Sequence, residues 1–140
     1  MKPNLTLLQK KARAYSLTEI LVVLCVIGIL VLLALPNLLP IITRAKTTEA
    51  KLQLTHLQEL EQNYFYEHSK YSNDLTEVGF IQEPLTTESK DGRANYRIAI
   101  TSATNTTFTA TATAVVDFNG NGTFDQWEID QDKTLKEVTH

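Results

Sequence analysis

From Ile20 to Ile42 the chain runs 23 residues without a charge, and a single carboxylate, Glu19, stands at the head of that stretch. As a helix the segment is about 35 Å long at 1.5 Å per residue, enough to cross a bilayer core of ~30 Å. It exceeds the 7–15 apolar residues usual in a cleaved secretory signal, so a signal anchor is the plainest reading. A charge at the edge of such a span costs at least ~2.5 kcal/mol on insertion scales, which makes Glu19 a functional candidate by default.

Charge is unevenly spread. Residues 1–14 hold Lys2, Lys10, Lys11 and Arg13 and no acid, whereas residues 43–140 carry nine Lys/Arg against fifteen Asp/Glu. The basic leader predicts a cytoplasmic N-terminus, with everything from Thr43 onward outside. The acidic outer part argues against direct nucleic-acid binding, which is dominated by phosphate neutralisation. Cys25 is the only cysteine, so no intramolecular disulfide can staple the small outer domain.

Helical character continues past the apolar stretch. Residues 43–68 are rich in helix formers and free of Gly and Pro. Ala50, Leu54, Leu57, Leu60 or Glu61, and Tyr64 recur at spacings of three and four, one apolar stripe on an amphipathic helix. The pattern predicts one helix from about Tyr15 to His68, interrupted at Pro36 and Pro40, with Gly28 a further candidate break. Residues 69–92 are punctuated by Ser, Asn, Asp, Pro and Gly and predict a loop, with one short helical turn near Leu75–Val78. Alternation at Tyr96, Ile98 and Ile100, and from Phe108 to Val116, predicts two half-buried strands. Trp127–Asp130 and Leu135–Val138 predict two shorter ones. The expected fold is α+β: a long N-terminal helix packed on a small antiparallel sheet within 94–139.

The N-terminal order is basic Lys10-Lys11-Ala12-Arg13-Ala14, then Tyr15-Ser16-Leu17-Thr18-Glu19, then the hydrophobic run to Pro36. It resembles the type IV pilin and pseudopilin superfamily. The resemblance implies a leader over 1–14, cleavage by a prepilin peptidase between Ala14 and Tyr15, and methylation of the new Tyr15 amine. It places Glu19 fifth in the processed chain and matches Pro36 to the family's helix-breaking proline. The family usually has Gly before the cut and Phe after it, so Ala14 and Tyr15 keep the character of the motif and not its identity. Residues 15–42 then serve as membrane span and filament core, and 43–140 form the head. A carboxylate one turn from a buried amine, or facing that of a neighbouring subunit, would neutralise both and set axial register.

A second motif runs from Asp117 to Glu128 and satisfies D-x-[DN]-x-[DN]-G-x5-E throughout. Asp117, Asn119 and Asn121 offer side-chain oxygens, Thr123 its carbonyl, Asp125 an oxygen directly or through water and Glu128 a bidentate closure, with Gly122 at the sharp turn: a calcium loop on a β-scaffold. The competing reading is a hairpin turn of Asn-Gly type. The histidines show no ligand spacing. Tyr64, Phe65, Tyr66 and Tyr71 suit the seam between helix and sheet. Asn105-Thr106-Thr107 is a glycosylation sequon and shows little alone.

These readings predict a non-enzymatic structural subunit of a type IV pilus, made as a single-pass bacterial inner-membrane precursor and polymerised by the assembly machinery into a homo-oligomeric surface filament. A type II secretion pseudopilin is the nearest alternative. The segment from Tyr64 to Gly79-Phe80, with Ser72-Asn73 after Tyr71, is closer to the pilin branch. A monomeric signal-anchored binding protein is the alternative from another class.

Overall fold

The structure, a computed structural model, describes residues 14–139. The leader expected over 1–14 lies outside the described residues except for Ala14. The chain divides into two compact units, one ending at Leu38 and the other beginning at Leu39.

Helix α1 spans Leu17–His68. Ser16 opens it: its carbonyl accepts the Ile20 N–H at 3.2 Å while its hydroxyl accepts the Glu19 N–H at 3.3 Å. At the other end Ser69 takes a left-handed conformation, φ 57°, and its N–H donates to Phe65 O at 2.7 Å, which closes the last turn. The helix continues across Gly28, Pro36 and Pro40, so the expected interruptions do not occur. A proline deletes one donor and displaces one carbonyl, and a long helix with intact turns on both sides propagates through that loss. In the first unit the large apolar side chains are exposed, from Leu17 at 84% to Leu38 at 48%. The stretch is long and apolar enough to cross a membrane, and none of that window is buried.

In the second unit the sheet is an antiparallel meander in the order β1 (Tyr96–Ala103), β2 (Phe108–Ala114), β3 (Gln126–Asp130) and β4 (Leu135–Thr139). Strand β2 stops two residues short of the expected Val116. The Ala114 N–H still reaches Asp125 O at 2.8 Å, but the Val115 N–H turns away to Asn95 O at 2.9 Å. One sheet face presents Tyr96, Ile98, Phe108, Ala110, Ala112, Ala114 and Ile129 to the core. The alanines of β2 leave room for α1, whose Ala50, Leu54, Leu57, Glu61 and Tyr64 are buried. The stripe therefore continues through Glu61, with Leu60 at its margin. Phe65 stacks on Tyr71 at 4.8 Å and Tyr71 on Phe108 at 5.6 Å, an aromatic seam joining helix, loop and sheet.

The expected turn near Leu75–Val78 is present. The Thr76 N–H is capped by Asp74 Oδ1 at 2.9 Å, and the Phe80 N–H closes on Leu75 O at 2.8 Å past Gly79 at φ 80°. Gln82 then covers the β1 edge. Its Nε2 donates to Tyr96 O at 3.2 Å and its Oε1 accepts the Ile98 N–H at 2.9 Å, so a side-chain amide stands in for a neighbouring strand. Gly92 fits where nothing larger does, because a Cβ there would lie 2.0 Å from Leu85 O.

Candidate functional site

Two regions hold the residues expected to act. The first is the start of α1. Ala14, Tyr15 and Ser16 precede the helix, and Tyr15 is 80% exposed. Glu19 turns back on this segment: its Oε2 accepts the Ser16 N–H at 2.8 Å while Ser16 Oγ accepts the Glu19 N–H. This is a reciprocal capping box, Ser-x-x-Glu, which satisfies two of the orphan donors of a helix start. The signal is legible in the sequence, and the family motif overlies it. Pro36 lies inside α1 in the same unit.

The second region is the loop between β2 and β3. Asp117 organises it. Its Oδ1 accepts the N–H of Asn119 at 3.2 Å and of Gly120 at 2.8 Å, and its Oδ2 accepts the Gly122 N–H at 2.8 Å. The Gly122 N–H, joined by those of Gly120 and Asn119, holds the Asp117 carboxyl below the usual carboxylate range against its partial desolvation. Asn119 Oδ1 accepts the Asn121 N–H at 3.1 Å, and Asn121 Oδ1 accepts from the Thr123 N–H at 2.8 Å. Gly120 and Gly122 carry φ of 72° and 84°, which a side chain would strain. Asp117, Asn119, Asn121 and Thr123 are thus gathered into one folded loop.

Asp125 and Glu128 point elsewhere. Asp125 is buried, and its Oδ2 accepts from Trp127 Nε1 at 3.2 Å, Thr47 Oγ1 at 3.4 Å and the Tyr96 hydroxyl. Burial, then this carboxylate acceptor, raises the Tyr96 phenol well above its ordinary value. Glu128 sits on β3 and pairs with Lys136 of β4 at 2.6 Å. Among the described residues no group of three or more His, Cys, Asp or Glu is arranged to hold a metal. Sequence spacing missed Tyr96, Thr47 and Trp127 as the partners of Asp125, since two of them lie 29 and 78 residues away.

An apolar helix with a Ser16–Glu19 capping box, and a helix on a four-stranded meander in the second unit, define a pilin-like protein. A family model described as type IV minor pilin ComP, DNA uptake sequence receptor, matches residues 39–125. The chain belongs to this family of type IV pilins. It is also 33% identical over 87 residues, 62% of its own length, to the type IV major pilin protein PilA of Myxococcus xanthus (strain DK1622). That stretch spans 37% of the relative's length.

Proposed function

We propose that the chain is a structural subunit of a type IV pilus, cut by a prepilin peptidase after Ala14, methylated on Tyr15 and polymerised into an extracellular filament. The observation that carries this reading is the first part of α1. It exposes a run of large apolar side chains, free of charge, behind one carboxylate that closes the helix cap. Such a surface is stable only in lipid or against other helices of its kind. The bacterial inner membrane would hold the precursor and the packed helices the filament core, with the assembly machinery moving subunits between them. Intact-mass measurement of sheared filaments tests it. The subunit should begin at a methylated Tyr15, and assembled material that retains residues 1–14 would refute the processing. Recovery from the cell surface also separates a pilus from a type II secretion pseudopilin.

The matched family's description includes reception of DNA. Residues 43–140 hold nine Lys/Arg against fifteen Asp/Glu, a balance that opposes a polyanion, so this reading assigns the chain no direct nucleic-acid binding.

We also propose that the 117–128 loop binds calcium. What supports this is the Gly122 N–H on Asp117 Oδ2, which bends the loop so that Asp117, Asn119 and Asn121 share one fold. Oxygen donors of this kind suit a hard cation. The Thr123 carbonyl would add a donor, and binding would draw Glu128 off Lys136. Asp125 keeps its core partners or engages through water. The full chain in detergent should melt higher in calcium, by about 2.7 kcal/mol of stability at a hundredfold excess over Kd. Asp117→Ala should abolish that response. Identical melts in chelator and in millimolar calcium would leave the segment a hairpin connection.

A further inference from the structure

Neither region above uses the carboxyl group buried between α1 and the loop that follows it. Glu61 is wholly buried. Its Oε2 accepts the Ser72 N–H at 3.0 Å, while its Oε1 has no hydrogen-bond partner. A second bare acceptor, Gln58 Oε1, lies three residues earlier on the same helix face. Gln58 cannot supply the missing donor, because its Nε2 is taken by Gln131 O at 3.2 Å and Gln62 Oε1 at 3.0 Å. The remaining neighbours sharpen the problem. Ser72 Oγ donates to Glu77 Oε2, so one serine bridges two carboxyl groups. Burial first and then the neighbouring Glu77 push the Tyr64 phenol up, and the Tyr64 ring stacks on His68 at 4.1 Å. Burial raises the Tyr71 phenol, and the nearby Asp132 and Glu61 carboxyls add to the rise. Among the described residues no Lys or Arg pairs with Glu61.

An ionised carboxylate in that position would be a buried charge with one donor, no counter-ion and a second carboxylate beside it, a strongly unfavourable combination. A neutral acid removes the charge and changes one of the two bare acceptors into a donor. We propose that Glu61 is held as a neutral carboxylic acid, its proton on Oε1 and shared with Gln58 Oε1, and that this proton latches the 69–80 loop onto α1. Losing the proton to solvent leaves two carboxylates bridged by Ser72, and the loop loosens.

Burial pushes the Glu61 carboxyl up, the Ser72 N–H offsets part of that, and Glu77 adds to the rise. Because the folded value lies above the unfolded one, the latch contributes fully at pH below the unfolded value. Its contribution is lost as pH rises through the folded value. An acidic exterior therefore tightens the head.

The test uses the full chain in detergent, labelled with 13C at glutamate carboxyls. The Glu61 resonance, assigned through its contact with the Ser72 amide, should keep its protonated shift over a pH range where the exposed glutamates have ionised. Ser72 amide exchange should accelerate across the Glu61 transition by more than the ordinary base-catalysed slope. Glu77→Gln should move the Glu61 midpoint down. Glu61→Gln, which retains both an acceptor for Ser72 and a donor for Gln58, should melt above wild type at high pH and converge with it in acid. Titration of Glu61 together with the exposed glutamates would overturn the latch, as would a Glu61→Gln loss of stability that is the same at every pH.

Discussion

Asp125→Ala should destabilise the head by about 3 kcal/mol, since it removes the acceptor of the buried Tyr96 hydroxyl and of the half-buried Trp127 Nε1. The Tyr96 hydroxyl, Trp127 Nε1 and Thr47 Oγ1 all converge on Asp125 Oδ2. Tyr96 is 1% exposed, so its hydroxyl would be left with a full desolvation penalty. The expected fall in melting temperature is roughly 10–20 °C for a domain of this size. Thermal melts in chelator measure it without any contribution from calcium. Asp117→Ala under the same conditions should cost much less, because its carboxylate bonds are solvent-exposed. A loss below about 1 kcal/mol for Asp125→Ala would mean that the Tyr96 and Trp127 donors find other acceptors, as Thr47 Oγ1 already does in Thr43 O at 3.0 Å. The comparison separates two acids of one sequence motif: Asp117 shapes the loop, and Asp125 ties its end to the helix and the sheet.

That separation marks where sequence reasoning stops. The motif spacing placed both Asp117 and Asp125 in one donor set, Asp125 directly or through water, because spacing is local. The burial of Asp125 depends on Tyr96 and Thr47, brought to it by strand pairing and by the packing of α1. Local periodicities fared better. The stripe from Ala50 to Tyr64 predicted the buried face of α1, and alternation at Tyr96, Ile98 and Ile100 predicted β1. Between Leu60 and Glu61 polarity favours the leucine and angular position favours the glutamate. Position wins, at the cost of a buried carboxyl group. The two prolines show the opposite bias. Their single-residue propensity forecast breaks that the surrounding helix overrides. Ser16 needed no tertiary information, since Ser-x-x-Glu ahead of an apolar run is a helix-start signature in its own right.

The capping box bears directly on the second large effect. Glu19→Ala should leave membrane insertion intact, because it removes the only charge from the apolar segment. Filament yield should fall by about a hundredfold or more, equivalent to roughly 3 kcal/mol per subunit, if each assembled Tyr15 amine is left without a counter-charge. Alanine also removes the Ser16–Glu19 cap, worth about 1 kcal/mol, so on its own it does not isolate the charge. Glu19→Gln does, because glutamine can still accept the Ser16 N–H yet cannot neutralise an amine. Ser16→Ala gives the converse, weakening the cap and keeping the carboxylate. Charge pairing predicts that Glu19→Gln assembles as poorly as Glu19→Ala, while Ser16→Ala stays within about tenfold of wild type. Quantifying sheared filaments from the three strains, normalised to membrane-inserted subunit, decides it. Normal yield from Glu19→Gln would make Glu19 a helix cap and remove it from assembly.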